Sequence, residues 1–573
     1  MRSLQSFSRA LQLLFAFTVH HGLSLAIAPD IHEFTFTQGP NTRGAVASES
    51  WECSRIGKDL LAKGGNAVDA AVGTTFCVGV IAPYHSGIGG GGFMLVRDQN
   101  GSYESIDFRE SAPGAAHENM YKDNVLASVH GGLSVAVPSE VRGLEYAHKK
   151  YGRLPWKVVM AGAIGRAKNG FLINPDFQRY INGAIKSSGN FLVEDPSWAE
   201  DFVKDGEILK EGSTLTRKRY AKTLTTIANE GSKAFYEGSI AKSLIETIQA
   251  HNGTMTLKDL SDYEVRTRAV LNTTHRGYTL HAVGAPASGA VTLNILNTME
   301  GFEKPQADRV QGWHNYIEAM RFAYGARGRL GDPDFHDDVP GLQAQMVDKS
   351  TGEKIRGLID PKRTQDVRAY DPEGIYTTES HGTSHIVAAD NEGMAVSLTT
   401  TVNLLFGSLV MCEKTGIVLN NEMNDFSIPG VTNEFGFEPA EANFIRPHKR
   451  PLSSITPVIV ERSDGSLFAT VGAAGGSRII SATTQALWRV LSEPVGIVAA
   501  VREPRLHNQL MPNTLLAEHN FPFKIIRELR RRGHNITWVP PGLSIVEGIL
   551  RDPLGMFEVG SDPRQRNHGG ERL

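Results

Sequence analysis

The sequence predicts a layered α/β fold, and three observations carry that prediction. An early strand at residues 44–47 runs into two helical segments, the second of them apolar from Ala67 to Val72. Much later, two apolar runs of strand length pair across Glu392-Gly393, joining residues 383–389 to 394–400. A second pair, 456–460 and 467–471, meets across Asp464-Gly465. Helical patterns at 477–491 and 523–532 then supply cover for a sheet.

Each element has a local reason. The glycine run Gly87-Ile88-Gly89-Gly90-Gly91-Gly92 lacks the Gly-Lys-Ser/Thr ending of a phosphate loop and is followed by the strand-like Phe93-Met94-Leu95-Val96. It therefore reads as a place where backbone packs closely on a strand. Residues 140–270 show helical periodicity with charged faces, and Thr256 followed by Asp259 marks a capped helix start. The stretch 344–382 is polar and reads as a flexible linker. Arg530-Arg531-Arg532 before Gly533 reads as cations closing a helix that glycine ends.

The chain has 573 residues and a formal net charge of -3, which gives no electrostatic reason to expect nucleic acid as a partner. Arg2 and Arg9 precede an apolar stretch from Ala10 to Val19 and small residues up to Ala28, the layout of a secretory leader. Cleavage is expected after Ala26, because a cut after Ala28 would fall before Pro29. Glycosylation tripeptides begin at Asn100, Asn252, Asn272 and Asn535. Three cysteines are too few for a disulfide scaffold, and Cys412 reads as a small buried apolar residue.

The chemistry centres on Gly382-Thr383-Ser384 at the head of the first hairpin. If the Gly382-Thr383 bond breaks, Thr383 heads a new chain with a nucleophilic hydroxyl and a free α-amine on one residue. That amine has a reference pKa of about 7.7 to 8.0, so it offers a base near neutral pH. Around it, in order, stand Thr399-Thr400-Thr401, Asn403-Leu404-Leu405-Phe406-Gly407, Asn420-Asn421-Glu422-Met423-Asn424-Asp425, Pro451-Leu452-Ser453-Ser454 and Gly472-Ala473-Ala474-Gly475-Gly476. Upstream come Gly64-Gly65-Asn66-Ala67-Val68-Asp69, the glycine run and Asp107-Phe108-Arg109-Glu110. This series resembles the γ-glutamyltransferase (γ-glutamyltranspeptidase, glutathione hydrolase) family over nearly the whole chain after the leader. Asn443 to Arg450 look closer to its eukaryotic members than to its bacterial ones.

The resemblance implies a four-layer αββα sandwich of the N-terminal nucleophile hydrolase type. With the leader taken as a signal peptide at 1–26, it implies a large subunit at 27–382 and a small catalytic subunit at 383–573, forming a heterodimer from one precursor. It implies that Thr383 is the nucleophile, that Thr401 hydrogen-bonds it, and that Gly475 and Gly476 present backbone N–H groups to an oxyanion. Arg109, Ser453 and Ser454 would bind the donor's α-carboxylate, and Asn403, Glu422 and Asp425 its α-ammonium. Cys53 and Cys77 would pair. The expected activity is cleavage of the γ-glutamyl amide of glutathione and related compounds, with transfer to amino acids, peptides or water. With no His-Glu-x-x-His and no paired Cys-x-x-Cys, no metal or other cofactor is expected. Alternative readings are a glutaryl-type cephalosporin acylase of the same fold and an inactive secreted binding protein. The address is secreted, with a vacuolar lumen or attachment through an uncleaved leader as alternatives.

Overall fold

A computed structural model describes residues 43–302, 308–376, 382–430 and 438–573. The leader and its cleavage point lie outside the described residues.

Two sheets form the centre. The first has seven strands in the order Gly569–Arg572, Gly44–Ser48, Ser384–Asp390, Ala395–Thr401, Gly91–Arg97, Tyr103–Phe108 and Arg266–Arg268. The second has six, in the order Phe557–Ser561, Ile545–Arg551, Leu467–Ala474, Val458–Glu461, Tyr278–Val283 and Val270–His275. Both expected hairpins form, with Ser384 opposite Thr400 in one and Val458 opposite Val471 in the other. Gly393 and Gly465 take the positive φ that their turns require.

Alternation along the strands sorts the layers, because successive side chains point to opposite faces. In the first sheet Val46, Met94, Val96, Ile386 and Ala388 join one core with the helices Trp51–Ala62 and Ala67–Ile81. Ala45, Phe93, Leu95, Val387 and Ala389 face the other way, into a core shared with the second sheet and the helices Gly289–Glu300 and Arg478–Ser492. The order is helix, sheet, sheet, helix, as the resemblance implies.

Helix Ala67–Ile81 is buried along its whole length and starts at a capping box between Asn66 and Asp69. A disulfide joins its Cys77 to Cys53 on the preceding helix, and Cys412 is a buried free thiol. The Thr256–Asp259 capping box forms, and helix Phe523–Arg531 ends before Gly533 at a φ of 91°.

One expectation fails. The stretch 344–382 is not a linker over its described part: Lys349–Leu358 is a helix and further helical turns flank it. Asp348 accepts the Ser350 N–H as its N-cap, and Gly352 lies so close to the Asn297 backbone that a Cβ would stand 2.8 Å from the carbonyl carbon. Lys349 and Arg356 add bonds to Asn297, at 2.9 Å each. The polarity that suggests a linker belongs to the outer face of a helix that docks through these hydrogen bonds, Gly352 and Ile355. Residues 377–381, next to Thr383, lie outside the described residues.

Candidate active site

Thr383 is the residue before the strand Ser384–Asp390, and Thr401 ends the neighbouring strand. By parity Thr383, Thr399 and Thr401 share the face turned towards the second sheet, while Ser384 and Thr400 face the helices. The side chains agree: His385 lies against Gly472 of the second sheet, whereas Ser384 donates to Glu49 and Thr400 to Glu140.

The Thr383 hydroxyl donates to its own preceding carbonyl, Gly382 O, at 2.5 Å. The Thr401 hydroxyl donates to the same oxygen at 2.7 Å, while accepting the Asn403 N–H at 2.7 Å. A backbone donor thus turns the Thr401 proton towards the peptide bond between residues 382 and 383. Asn403 reaches that position with φ of 75°, a conformation asparagine tolerates better than most residues. The glycine run presses against this strand: a Cβ on Gly90 would meet Thr401 O at 1.9 Å, and one on Gly92 would meet Thr399 O at 2.0 Å. Close backbone approach is what those glycines supply.

Gly475 and Gly476 follow the strand Leu467–Ala474 and precede helix Arg478–Ser492, both with positive φ. Thr470 bonds Val396 O and Gly472 lies on His385, so that strand advances towards the Thr383 end of the hairpin as it nears the glycines. The pair therefore sits on the same side of the inter-sheet layer as Thr383, at a helix N-terminus where N–H groups are in surplus.

Arg109, Glu422 and Asp425 converge in a buried cluster. Arg109 pairs with Asp425 at 2.5 Å and with Glu422, and its Nε donates to Pro451 O at 3.3 Å. The turn Glu422–Asp425 is a short 3-10 helix, which puts both carboxylates on one side. Against burial, which lowers it, Glu422, Asp425 and Glu110 raise the Arg109 guanidinium above its ordinary value. Burial pushes Glu422 well above the usual carboxylate range although Arg109 opposes it, and it lifts Glu110 to about 7.

Ser453 and Ser454 are buried on the loop before Val458–Glu461. Ser453 Oγ accepts the Ile455 N–H at 3.2 Å, and Ser454 Oγ accepts from Arg327 at 3.1 Å. Asn403 is buried and donates its side-chain amide to Asn421 O at 3.0 Å. Thr383, Thr401, Arg109, Asn403, Glu422, Ser453 and Ser454 are all buried, and Asp425 is partly buried.

Sequence reasoning passed over Glu110, Arg327 and Ser288. Glu110 stands next to Arg109 and its adjacency was a usable signal, whereas Arg327 and Ser288 come from segments with no motif of their own. Among the described residues, His314, Glu318 and His534 form the one cluster with the spacing of metal ligands. His314 there bonds His534 at 2.9 Å and Asp360 O at 2.8 Å, and Arg321 and Arg532 set positive charge beside it. Glu318 accepts from the Thr364 and Tyr370 hydroxyls, whereas His534 Nδ1 is buried without a hydrogen-bond partner among the described residues.

A family model described as gamma-glutamyltranspeptidase matches residues 53–571. A glutathione hydrolase proenzyme of Arthroderma benhamiae is 47% identical over 545 residues, covering 92% of each chain. A glutathione hydrolase of Aspergillus flavus is 42% identical over 545 residues, covering 94% of this chain and 91% of its own. Among solved structures, cephalosporin acylase from Bacillus halodurans superposes with a TM-score of 0.81 at 24% identity, over 96% of this chain and 99% of its own. At that identity the likeness is one of fold.

Proposed function

Because the chain belongs to the γ-glutamyltranspeptidase family, we infer that it is a γ-glutamyltransferase and glutathione hydrolase that makes its own nucleophile by cleaving before Thr383. The observation that carries this reading is the convergence of the Thr383 and Thr401 hydroxyls on Gly382 O.

In the first step Thr383 Oγ attacks the Gly382 carbonyl carbon. The Thr401 hydroxyl, already bonded to that oxygen, stabilises the charge that develops on it. The C–N bond breaks, the nitrogen takes a proton and becomes the free α-amine, and Gly382 is held as an ester on Thr383. Water hydrolyses the ester, leaving a carboxylate on Gly382 and the hydroxyl on Thr383. The two threonine hydroxyls that shared one acceptor are then left to each other, with the new amine as base.

In the second role Thr383 attacks the γ-carbonyl of a donor such as glutathione, with Gly475 and Gly476 supplying N–H groups to the oxyanion. The leaving amine departs with a proton, and an amino acid, a peptide or water takes the γ-glutamyl group from the ester. The donor's far end is a zwitterion. Its carboxylate takes N–H groups of Arg109 and the hydroxyls of Ser453 and Ser454, while its ammonium takes the carboxylates of Glu422 and Asp425 with Asn403. The ion pairs of Arg109 with Glu422 and Asp425 are exchanged for pairs with the two ends of the zwitterion, so little charge is left unpaired in the site. A glutaryl donor would bring no cation to these acids, and this favours the γ-glutamyl reading over the acylase one.

Maturation gives a large chain ending at Gly382 and a small chain starting at Thr383. Entry into a secretory pathway is supported by the leader and by the exposure of Asn100, Asn252, Asn272 and Asn535. Among the described residues no helix is long and apolar enough to cross a membrane. A γ-glutamyl anilide assay on the cleaved protein tests the function, and absence of anilide release would overturn it. A mobility shift on enzymatic deglycosylation tests the route, and an unshifted large chain would count against it.

A further inference from the structure

We propose that Arg327 is a positioning residue of the donor site, whose guanidinium holds the Ser454 hydroxyl as an acceptor so that its proton turns to the donor carboxylate. The proposal rests on the donor-site reading above.

Arg327 is the last residue of helix Arg309–Arg327 and is buried. Its Nη2 donates to Ser454 Oγ at 3.1 Å, and its Nε donates to Ser288 Oγ at 3.1 Å. Ser288 in turn donates to Ser453 O at 2.5 Å. One guanidinium therefore reaches both serines, one by its hydroxyl and the other by its backbone.

The direction of these bonds matters. A guanidinium has donors only, so a serine hydroxyl bonded to it must accept. Ser454 then has its own proton left for another acceptor. Ser453 Oγ is in the same condition, because it accepts the Ile455 N–H. Two hydroxyls arranged in this way each keep a proton to give to a carboxylate. Arg327 also lies within electrostatic reach of Arg109 and Asp425, so its charge adds to the field that Arg109 sets for an anion. A lysine could keep the charge but not the two-pronged bond to Ser288 and Ser454.

The same helix end explains why the arrangement is stiff. Tyr324, one turn earlier, donates to Ser477 O at 2.5 Å, directly after Gly475-Gly476. The helix thus braces the glycine pair and the serine pair from a single element.

The test compares Arg327→Met, Arg327→Lys, Ser454→Ala and the double variant Arg327→Met with Ser454→Ala, using a γ-glutamyl anilide as donor. Loss of one charge-assisted hydrogen bond predicts that Arg327→Met raises KM about tenfold while kcat changes by less than about threefold. Arg327→Lys should recover part of that loss. Conversion into two chains should be unaffected, because neither residue touches Thr383 or Thr401, and it reports an intact fold. On the Ser454→Ala background the Arg327→Met effect should shrink to about twofold or less, since the two act as one unit. An unchanged KM, or an equal effect with and without Ser454, would overturn the proposal. If Arg327→Met does not fold, Ser288→Ala releases the guanidinium from its Nε anchor and should raise KM about threefold; an unchanged KM there refutes it equally. If Ser454→Ala alone leaves KM unchanged, the donor-site reading itself has failed.

Discussion

Arg109 Nη2 and Asp425 Oδ2 stand 2.5 Å apart in a part-buried ion pair that joins the two charge signs of the proposed donor site. The pair links the end of the strand Tyr103–Phe108 to the Glu422–Asp425 turn, so segments on either side of the proposed cleavage point meet in it. A donor that carries only one of the two charges would disturb this balance without restoring it.

A glutaryl anilide, which lacks the α-ammonium, should therefore be a poorer substrate than the γ-glutamyl anilide. Charged hydrogen bonds are worth about 1.5 to 3 kcal/mol each, so kcat/KM should fall at least about tenfold. Arg109→Lys should penalise both anilides, since both carry the carboxylate. The ratio of kcat/KM for the two substrates on the unaltered enzyme checks this, and a ratio near one would favour the acylase reading.

Thr401→Val keeps the shape of the side chain and removes the donor to Gly382 O. Losing one oxyanion donor should slow self-cleavage about a hundredfold. Thr401→Ser should cleave at a rate close to that of the parent. A time course of precursor conversion on denaturing gels measures it, and equal rates for the valine and serine variants would remove Thr401 from the mechanism.

Burial lifts the Glu140 carboxyl from its ordinary 4.5 to about 8, with the Thr400 hydroxyl bond opposing the shift. The folded protein then binds more protons than the unfolded chain between those values, so stability should fall as pH rises through that window. Glu110, lifted to about 7, acts in the same sense. Glu140→Gln removes one of these contributions. Its Tm should gain on the parent at pH 8.5 relative to pH 5, and parallel Tm curves for the two proteins would show that Glu140 carries none of the dependence.

The Cys53–Cys77 bond closes a loop with a sequence separation of 24. Chain-entropy arguments put such a cross-link at about 3 kcal/mol. Cys77→Ala should lower the Tm, whereas Cys412→Ala should leave the disulfide pattern unchanged. Peptide mapping without reduction checks the pairing, and recovery of Cys53 and Cys77 as free thiols would contradict it.

The hairpin that carries Thr383 was legible because Asp-Asn-Glu-Gly interrupts two runs of strand character. The glycine run was legible because nothing in it suits a phosphate. The docked helix Lys349–Leu358 was not, since its hydrogen bonds to a partner helix and its close approach at Gly352 are revealed by no local pattern. The site shows the same division. Residues with a motif around them could be placed in advance, but the meeting of Arg109 with Glu422 and Asp425 depends on a fold that brings together positions more than three hundred residues apart. Arg327 and Ser288 enter the site only through that packing.

The central claim is that Thr383 frees itself. The most direct measurement is the N-terminal sequence and intact mass of the purified protein beside its Thr383→Ala variant. The account predicts a chain of residues 383–573 beginning with Thr383 in the parent and a single uncut, inactive chain in the variant. Cleavage of the alanine variant at the same bond, or full activity from uncut parent protein, would contradict it.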